Sequence, residues 1–582
     1  MDQGTGGANS GERPAAGGGP PPRPGAETRA ELSFTRQRMV RWLSPGQLLD
    51  TGRRALLAVI ISGYSDKREV EAALPSPGIL DRSASSELWV DYVADLGDGF
   101  NPTYALASLL AQPVLGLGGG EHETRQGQVL VMGGDQVYPA ATLRRYQDRL
   151  SGPYRAALPY REVDPPTLLA VPGNHDWYDG LTSFVRLFCQ QEWIGGWRTS
   201  QTRSYFALKL PHRWWLWGID IQFDNYIDGP QLRYFRDEVA PSLDPGDGLI
   251  LCVAKPSWVD ANASEPHPHP DVATTLDYFE RQVIRPRGVR VRLALSGDRH
   301  HYARYTEVDG DRHRLTCGGG GAFLTSTHGL PDRIMVPPPT SSDPGRTDPV
   351  AYRLAQAYPD KERSSRLTRG GVWRLLWRND ALPVFVGAVA MLLALMARGA
   401  IGPRDGFWDV PAAWARGALP VLFLAGLAFG LVRFTKIRGP TAWLLGGSHF
   451  LAQVSAIAAT IWLASRLLGG VGGGWRLPLV LALTGAAYAV VGCLLLALYL
   501  VVADLFRVNR TELFSAMRIE DMKSFLRIRI DATGCTVYPV KVERVPRRWR
   551  LKPGGDPVAP WFEADDGPPA PELIEPPLVI PR

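Results

Sequence analysis

The sequence predicts an α/β fold with a membrane region: a layered α/β domain, then four transmembrane helices, then a small C-terminal β-hairpin region. Three patterns support this prediction. Short β-branched runs broken by Gly, Pro and Asp turns alternate with helix-like stretches over residues 34–360. Four uncharged apolar segments follow within residues 381–506. Residues 507–582 then contain two alternating runs joined by a turn.

The first stretch of the chain, residues 1–33, is expected to be a disordered tail. It is rich in Gly and Pro, as in GGGPPPRPG, and has almost no large apolar side chain whose burial could offset the entropy lost on ordering. It also lacks the basic-then-apolar order of a secretory signal, so we do not expect it to direct the chain out of the cytoplasm.

Composition narrows the class of protein. The 582 residues allow two or three domains. The net charge is +6, but Lys and Arg are spread along the chain rather than gathered in a stripe, so no nucleic-acid partner is expected. The five cysteines are scattered without CxxC spacing, which favours free thiols in a reducing compartment over disulfides or a zinc knuckle.

Four segments have the composition of membrane spans: residues 381–397, 417–432, 441–465 and 477–503. Roughly 20 apolar residues cross the hydrocarbon core of a bilayer, so the fourth segment is long enough by itself, whereas the first two need flanking residues. Buried core helices are the alternative interpretation. Pumps and transporters need buried charges, which the middles of these segments lack, so we interpret the helices as an anchor in the lipid bilayer rather than as a transporter.

Basic residues flank these segments asymmetrically. Thirteen lie before the first span, between the second and third, and after the fourth: Lys361, Arg363, Arg366, Arg369, Arg374, Arg378, Arg433, Lys436, Arg438, Arg507, Arg510, Arg518 and Lys523. Five lie on the other side: Arg398, Arg404, Arg416, Arg466 and Arg476. The positive-inside rule then predicts a multi-pass cell-membrane protein whose soluble parts both face the cytoplasm, with residues 361–380 as a basic juxtamembrane linker.

The region after the spans contains a predicted hairpin. Residues 525–530 alternate apolar with basic side chains, residues 531–534 form a turn, and residues 536–540 alternate again. We expect one face of this hairpin to be in water and the other to pack on the α/β domain, because a lone hairpin is only marginally stable. The remainder, rich in Pro and acidic residues, is predicted to be an irregular tail.

Four short motifs follow strand-like runs in the α/β part. They are Asp95-Leu96-Gly97, Gly134-Asp135-Gln136-Val137-Tyr138, Gly173-Asn174-His175-Asp176 and Gly297-Asp298-Arg299-His300-His301-Tyr302-Ala303-Arg304. Taken singly, such pairs indicate turns and helix caps. At four successive strand ends they indicate carboxylate, amide and imidazole groups that converge on two cations about 3.5–4 Å apart, an arrangement suited to phosphate ester hydrolysis.

In these motifs the chain resembles the calcineurin-like metallophosphoesterases, and within them the purple acid phosphatase type. That branch carries DxG, GDxxY, GNH followed by an acidic residue, a histidine at a later strand end, and GHxHxYxR. The resemblance covers roughly residues 88–330. It implies a sandwich of two packed mixed sheets flanked by helices, and a phosphoesterase that uses Mn, Fe, Mg or Zn ions.

The resemblance also implies roles for individual residues. It assigns Asp95, Tyr138 and His300 to a first metal, Asp135 to a bridging position, and Asn174 to a second metal. His175 becomes a proton donor or a contact to the transition state, with Asp176 and Arg304 as further catalytic residues.

The chain departs from the family pattern twice. In Leu251-Cys252-Val253-Ala254-Lys255-Pro256-Ser257-Trp258, the position of the later histidine is Ala254, which cannot bind a metal. Asp298 replaces the first histidine of GHxH. An aspartate there could hold a weaker, harder second cation, or it could be a carboxylate that orients His300 or His301.

Other polar residues near the motifs have open interpretations. Asp98 is either a compensating ligand or a turn residue. Arg299 and Arg304 could bind phosphate through their forks or form ion pairs. His267 and His269 are expected to be loop residues rather than ligands. The run at residues 318–321 is predicted to be a close-packed strand end, with a phosphate cradle as the alternative.

Two functions therefore follow from the sequence. The first is a membrane-anchored, metal-dependent phosphoesterase acting on a phosphoester substrate. The alternative is a catalytically weak, metal-containing module that senses nucleotide or lipid headgroups, which the incomplete second ligand set favours. Retention of His175 and Asp135 favours catalysis, since a binding module has less use for an acid beside the metals.

Overall fold

The computed structural model of the chain describes residues 23–47, 50, 53, 76–221, 226–262, 271–338, 345, 347–400, 402, 404–437, 439–552 and 556–582. Most of the predicted disordered tail, residues 1–22, lies outside these ranges. Residues 23–33 are ordered, contrary to the prediction. They include helix Arg29–Leu32, and the Arg23 guanidinium donates to the carbonyl oxygens of Lys552, Asp556 and Pro560. Partners far along the chain therefore order this segment.

The strands, in chain order, are β1 Leu80–Asp81, β2 Leu88–Val93, β3 Val114–Leu117, β4 His122–Arg125, β5 Val129–Met132, β6 Thr167–Ala170, β7 Trp193–Ile194, β8 Trp197–Thr199, β9 Phe206–Leu210, β10 Trp214–Ile219, β11 Gly248–Val253, β12 Arg290–Ser296, β13 Tyr302–Glu307, β14 His313–Cys317, β15 Arg333–Val336, β16 Val350–Tyr358, β17 Lys523–Asp531, β18 Gly534–Val542, β19 Trp549–Leu551, β20 Phe562–Ala564, β21 Pro571–Leu573 and β22 Leu578–Ile580.

The helices, again in chain order, are α1 Arg29–Leu32, α2 Phe100–Leu110, α3 Leu143–Tyr146, α4 Gly152–Ala157, α5 Asn174–Trp177, α6 Thr182–Phe188, α7 Gly229–Arg233, α8 Ser257–Asp260, α9 Asp271–Phe279, α10 Lys361–Arg369, α11 Gly371–Arg378, α12 Ala381–Met396, α13 Asp409–Ala415, α14 Ala418–Phe434, α15 Pro440–Leu467, α16 Arg476–Leu505 and α17 Arg510–Met517.

Two mixed sheets of nine strands each form the soluble part of the chain. The first has the order β1-β9-β10-β11-β12-β14-β13-β16-β15. The second has the order β21-β18-β17-β2-β5-β6-β8-β7, with β22 also paired to β18. The inner faces pack together through buried residues such as Val131 and Leu169 of the second sheet and Ile250 and Leu293 of the first. The layered α/β prediction is confirmed.

Helices cover the outer face of each sheet. Tyr104 of α2 and Met132 belong to one buried cluster on the outer side of the second sheet, and Phe279 of α9 packs with Trp217 on the outer side of the first. Alternate strand residues thus face the shared core and a helical layer, so almost every strand position in the centre of the sandwich is buried. This explains why the central strands have continuous apolar sequences.

The predicted hairpin is present, but it does more than pack on the domain. Strand β17 pairs antiparallel with β2, so the hairpin extends the second sheet beside the strand that leads to Asp95. The expected wet face is wrong, because Arg527 is fully buried. Its Nε lies 3.2 Å from Asp91 Oδ1, and its NH2 group donates to the carbonyl oxygens of Leu109 and Gln112.

The prediction of an irregular C-terminal tail is also wrong. Short strands β19 to β22 run through it, and β22 pairs with β18 so that Ile580 is buried. Each of these strands is only three residues long. Isolated strands of that length have no stability of their own, so pairing with β18 or with one another defines them.

The four predicted spans coincide with α12, α14, α15 and α16. Two helices among the described residues are long and apolar enough to cross a membrane, Pro440–Leu467 and the continuous stretch Gly473–Leu505. The count rises to four if each of two bent pairs is one span: α11 with α12, bent by 84°, and α13 with α14, bent by 98°. A Cβ on Gly387 of α12 would lie 2.7 Å from the Gly485 carbonyl oxygen, so α12 packs closely on α16.

Candidate metal centre

The loops that carry the four motifs leave the sandwich at one edge. Strands β2, β5 and β6 are parallel neighbours, so Asp95, Asp135 and Asn174 follow their carboxyl ends side by side. Strand β12 of the other sheet brings Asp298 to the same place, where a Cβ on Gly297 would be 2.7 Å from the Ala94 Cβ. The sequence prediction that these strand ends meet is confirmed.

Three of the aspartates adopt left-handed backbone conformations. Asp95 has φ of 60°, Asp135 of 51° and Asp298 of 64°. Aspartate enters this region more readily than most residues, because its short side chain can bond locally. Each of these aspartates lies two or three residues past the end of its strand, at the edge where the motif loops meet.

The Tyr138 hydroxyl is the common contact of the cluster. It lies 3.0 Å from Asp95 Oδ1, 3.1 Å from Asp135 Oδ2 and 2.9 Å from His300 Nε2. All these side chains are buried. The structure therefore brings together the four residues that the sequence analysis assigned to the first metal and the bridge.

Acceptor atoms outnumber protons in this arrangement. His300 Nδ1 is 2.7 Å from the Phe323 carbonyl oxygen, which can only accept, so Nδ1 carries the proton and Nε2 presents its lone pair to the cluster. Burial also lowers the pKa of His300 well below its usual value, which keeps the ring neutral. When both carboxylates are ionised, one hydroxyl proton thus faces three acceptors.

Negative charge on these carboxylates is costly in such a buried cluster. Burial raises the pKa of Asp95 well above its usual value, and the neighbouring charges of Asp135 and Asp298 raise it further. Burial likewise raises the pKa of Asp135, with Asp298 adding to the shift. Asp95 Oδ2 is buried without a hydrogen-bond partner. A buried oxygen-rich cluster of this kind fits a hard cation, which would supply the missing positive charge.

Direct convergence of ligands is nevertheless incomplete. Within the described part of the chain, no three His, Cys, Asp or Glu side chains are grouped closely enough to hold a metal ion. The contacts between Asp95, Asp135 and His300 run through the Tyr138 hydroxyl instead. The donor chemistry fits a cation, while the predicted set of metal sites remains a hypothesis.

Glycines keep space for the carboxylates. A Cβ on Gly173 would lie 2.1 Å from Asp135 Oδ1, and one on Gly318 would lie 2.1 Å from Asp95 Oδ2. A Cβ on Gly320 would lie 2.3 Å from the Ala94 carbonyl oxygen. The run at residues 318–321 is therefore the close-packed strand end that the sequence predicted, and it presses against the Asp95 loop.

His175 lies beside the cluster with its orientation held at two atoms. Its backbone N–H donates to Asp135 Oδ1 at 2.9 Å, and its Nδ1 lies 2.7 Å from the Pro139 carbonyl oxygen. Because that oxygen can only accept, the proton of the neutral ring sits on Nδ1 and leaves Nε2 as the reactive nitrogen. The ring centroid is 4.4 Å from that of Tyr138.

Asn174 and Asp176 differ in their surroundings. The Asn174 amide donates to the Tyr178 hydroxyl at 3.3 Å and is half-buried. Asp176 is fully buried, and its carboxylate accepts from Gln136 N, Gly173 N and the Tyr146 hydroxyl. We interpret Asp176 as a positioning residue that ties the third motif to the second.

The two arginines of the last motif are held in ion pairs. Arg304 donates to Glu575 through Nε at 2.8 Å and NH2 at 2.5 Å. Arg299 NH2 donates to Asp260 at 2.7 Å. Of the two interpretations left open by the sequence, the structure shows the ion pairs, and for Arg304 the partner comes from the C-terminal segment.

Ala254 and Asp298, the two positions at which the sequence departs from the resembled motif pattern, both lie beside the motif loops. Ala254 directly follows β11, is 3% exposed and sits against Gly134, where an added Cβ would be 2.9 Å from the Ala254 Cβ. The Asp298 backbone N–H donates to Asp95 Oδ1 at 3.1 Å. The Nδ1 atoms of His300 and His301 are bound by Phe323 O and Thr325 Oγ1, so neither is oriented by Asp298 through that atom.

Asp98 has the role of a connector. Its carboxylate is buried and accepts from Val40 N at 2.8 Å and Phe323 N at 3.1 Å. It joins the N-terminal segment to the loop beside His300. His267 and His269 lie outside the described residues.

Sequence reasoning missed two aromatic residues at the centre. The Trp42 ring meets Tyr138, His175 and Phe323 edge-on, at centroid distances of 5.9, 5.8 and 5.5 Å. Phe323 also packs edge-on against His300. No local pattern in MVRWL marks Trp42, because its role depends on contacts with residues far along the chain.

Comparisons with known proteins do not identify a family for this chain. No family model and no curated protein matches the chain. A solved structure described as GAP50, the anchor in the inner membrane complex of Plasmodium, aligns with 12% identity and a TM-score of 0.30, over 48% of this chain and 94% of that one. A likeness at this level carries no argument about fold or function.

Proposed function

We propose that the chain is a membrane-anchored, metal-dependent phosphoesterase of the calcineurin-like metallophosphoesterase type. The observation that carries the proposal is the contact set of the Tyr138 hydroxyl, where one proton faces acceptor atoms of Asp95, Asp135 and His300. Such a surplus of buried acceptors is costly without a cation. Its position at the carboxyl ends of β2, β5 and β6 supports a site rather than a structural network.

Different residues of the chain would have different roles in this site. Asp95, Tyr138 and His300 would hold a first cation and Asp135 a bridge, with Asn174 and Asp298 toward a second. When bound, Mn, Fe, Mg or Zn ions would polarise a phosphoryl group and lower the pKa of a water molecule. Trp42 packs against Tyr138 and Phe323 packs against His300, so aromatic rings line one side of the cluster.

His175 is the residue placed for proton transfer. Its Nδ1–H bond to Pro139 O holds the ring, so that Nε2 could take up a proton from solvent and, from the resulting imidazolium, pass it to the oxygen of a leaving group. Asp135 accepts from the backbone of the same residue, which couples the position of the acid to that of the bridging carboxylate.

The apolar helices would anchor this domain in the membrane. The basic residues around α11, after α14 and after α16 favour a cytoplasmic location of both soluble parts. Since β17 and β18 complete the second sheet, residues on both sides of the spans must fold together on the same side of the bilayer. That requirement supports an even number of spans.

A second candidate function is a catalytically weak module that binds metal and senses nucleotide or lipid headgroups. Two observations favour it. Ala254 stands where the family has an imidazole ligand, and the Arg304 guanidinium is occupied by Glu575. Both would weaken turnover while leaving the first cation site intact.

Assays on one purified preparation can distinguish the two proposed functions. The full chain in detergent is assayed against phosphomonoesters, phosphodiesters, nucleotides and lipid phosphates with Mn, Fe or Mg ions, alongside metal analysis. Asp135→Asn should lower both metal content and turnover, the latter by about 100-fold or more. Asp309→Asn, an exposed turn carboxylate, is the matched control.

The possible results lead to different conclusions. Bound metal with turnover that falls in Asp135→Asn supports the phosphoesterase. Bound metal without turnover on any of these substrates supports the sensor module. Protein that binds no metal under any of these conditions would overturn both.

A further inference from the structure

A cavity of about 900 Å³ lies where four parts of the chain meet. Its walls come from the N-terminal segment at residues 36–41, the start of α2, the end of α11 and the C-terminal segment around Arg547. Seven arginines and three acidic residues line it. The cavity is therefore basic, and it is separate from the candidate metal centre.

The acidic residues of the lining are already paired. Asp380 lies 3.0 Å from Arg41, Glu520 lies 2.6 Å from Arg547, and Asp565 lies 3.5 Å from Arg550 outside the lining. Arg36 is paired with Glu27. Among the described residues, the remaining four lining arginines have no carboxylate at ion-pair distance: Arg38, Arg378, Arg518 and Arg548. The cavity therefore has four unpaired guanidinium groups around it.

Two of these arginines are held in place by backbone carbonyls. Arg378 donates to the Arg518 carbonyl oxygen at 2.7 Å, and Arg518 donates back to that of Arg378 at 3.0 Å. Arg518 also donates to Met39 O at 2.6 Å, while its Nε is buried without a hydrogen-bond partner. Carbonyls orient the guanidinium groups but leave their charge in place, as a built anion site requires.

The crowding of positive charge has a physical effect. Burial lowers the pKa of Arg518, and the nearby charges of Arg378 and Arg41 lower it further, against the opposing charges of Asp98 and Glu520. Like charges held together in this way are unfavourable unless an anion binds between them.

Part of the cavity lining directly precedes the first proposed span, since Trp377, Arg378 and Asp380 lie just before α12. Trp377 lines the cavity and is 85% exposed, and Trp373, one turn earlier on α11, is 67% exposed. Helix α11 meets α12 at 84°, so it lies across the direction of that span. A short helix with tryptophans on its exposed side, lying across the start of a span, is typical of the headgroup region of a bilayer.

We propose that this cavity binds the phosphate group of an anionic membrane lipid in the leaflet that faces the soluble domains. Guanidinium groups recognise phosphate through paired N–H donors, and four of them are unmatched here. The exposed indoles and the adjacent span favour a lipid over a soluble phosphate. The proposal rests on the membrane placement proposed above and goes beyond the phosphoester chemistry of the metal centre.

Headgroup binding would also act on the candidate centre. Met39 accepts from Arg518 at the cavity, Val40 donates to Asp98, and Trp42 packs on His175. The same short segment thus runs from the cavity to the cover of the cluster. An occupied cavity would hold that segment, and with it Trp42, in place.

The test uses the full chain in nanodiscs of equal parts phosphatidylglycerol and phosphatidylcholine, with bound lipid counted by native mass spectrometry. Wild type should retain phosphatidylglycerol in preference to phosphatidylcholine. Arg38→Gln with Arg548→Gln should weaken this retention by about fivefold for each arginine. Both side chains are exposed, so the fold should survive, and an unchanged melting temperature checks this.

A matched control replaces two exposed arginines outside the cavity, Arg287→Gln with Arg353→Gln, and should retain lipid as wild type does. Equal losses in the two double variants, or no loss in either, would overturn the proposal. So would tight binding of inorganic phosphate without preferential lipid retention, which would identify a soluble phosphate site. Asp135→Asn should keep its lipid, so failure of the phosphoesterase proposal would be distinguishable.

Discussion

The Nε2 atom of His328 lies 3.0 Å from Oδ1 of Asp504, and this contact joins the α/β domain to the end of α16. The other ring nitrogen lies 2.9 Å from Ser364 Oγ on α10. Asp504 Oδ1 also accepts from Arg510 Nε at 2.7 Å. One carboxylate at the end of an apolar helix therefore contacts the soluble domain and α17, and His328 extends this junction to α10.

The first prediction concerns this junction. Asp504→Asn keeps the shape of the side chain but removes the negative charge that balances Arg510 and strengthens the contact with His328. Charge-assisted hydrogen bonds are worth about 1.5–3 kcal/mol, so the melting temperature of the detergent-solubilised protein should fall by several degrees. Asp348→Asn, an exposed carboxylate, serves as control. Equal melting temperatures in the two variants would show that the junction contributes no stability.

The second prediction concerns the buried ion pair of the hairpin. Arg527→Met removes a cation that is fully buried against Asp91 and leaves that carboxylate uncompensated. The expected loss is about 3–5 kcal/mol, the cost of breaking a buried pair. Arg529→Met removes a partly exposed arginine two positions along the same strand and should cost less than about 1 kcal/mol. Thermal or denaturant unfolding of the two variants side by side tests the difference.

The third prediction is a pH dependence that belongs to Asp91. Burial raises its pKa from 3.8 to about 6, although Arg527 opposes the shift. The folded pKa is above the unfolded one, so the folded state binds the proton more tightly. The cost of the charged form is present above pH 6 and disappears as pH falls through 6 toward 4. Asp91→Asn lacks that cost at every pH.

The stability difference between wild type and Asp91→Asn should therefore move in favour of wild type as pH falls from about 7.5 to 4. The expected change is about 3 kcal/mol, at 1.36 kcal/mol for each pKa unit. Unfolding curves of both proteins across this range provide the measurement. A difference that stays constant, or that moves in favour of the variant on acidification, would contradict the raised pKa.

The spans and the motif loops were accessible from the sequence because their signals are local. The fourth predicted span, residues 477–503, agrees with α16 at Arg476–Leu505 to within a few residues. An uninterrupted apolar run needs no partner to be recognised. The strand ends of the four motifs were accessible for the same reason, since each follows a short apolar run at a turn.

The features that the sequence analysis predicted wrongly or missed depend on partners far along the chain. Arg527 was expected in water because its strand alternates apolar with basic residues, yet Asp91 and backbone carbonyls make its burial possible. Strands β19 to β22 are too short for a periodic signal. Trp42 covers the cluster through contacts with Tyr138 and His175. The residues next to Trp42 in the sequence form no pattern that predicts these contacts.

The last prediction concerns the incomplete ligand set. If Asn174 and Asp298 hold a second cation with no imidazole at position 254, that cation should be labile and hard, while the one beside Tyr138 and His300 stays bound. Protein dialysed without chelator should then keep close to one metal ion, and turnover should rise steeply with added Mn or Mg ions. Asp298→Ala should remove this response while keeping the tightly held ion.

Ala254→His offers the reverse change. It adds a nitrogen donor beside Gly134, directly before Asp135, so it should raise the retained metal toward two and lessen the dependence on added ions. The site is close-packed, so Ala254→Leu is the control for the added volume alone. Metal stoichiometry after dialysis is measured in all four proteins. Two retained ions in wild type, unchanged in Asp298→Ala, would show that Asp298 is not a ligand and that position 254 does not correspond to the family's histidine.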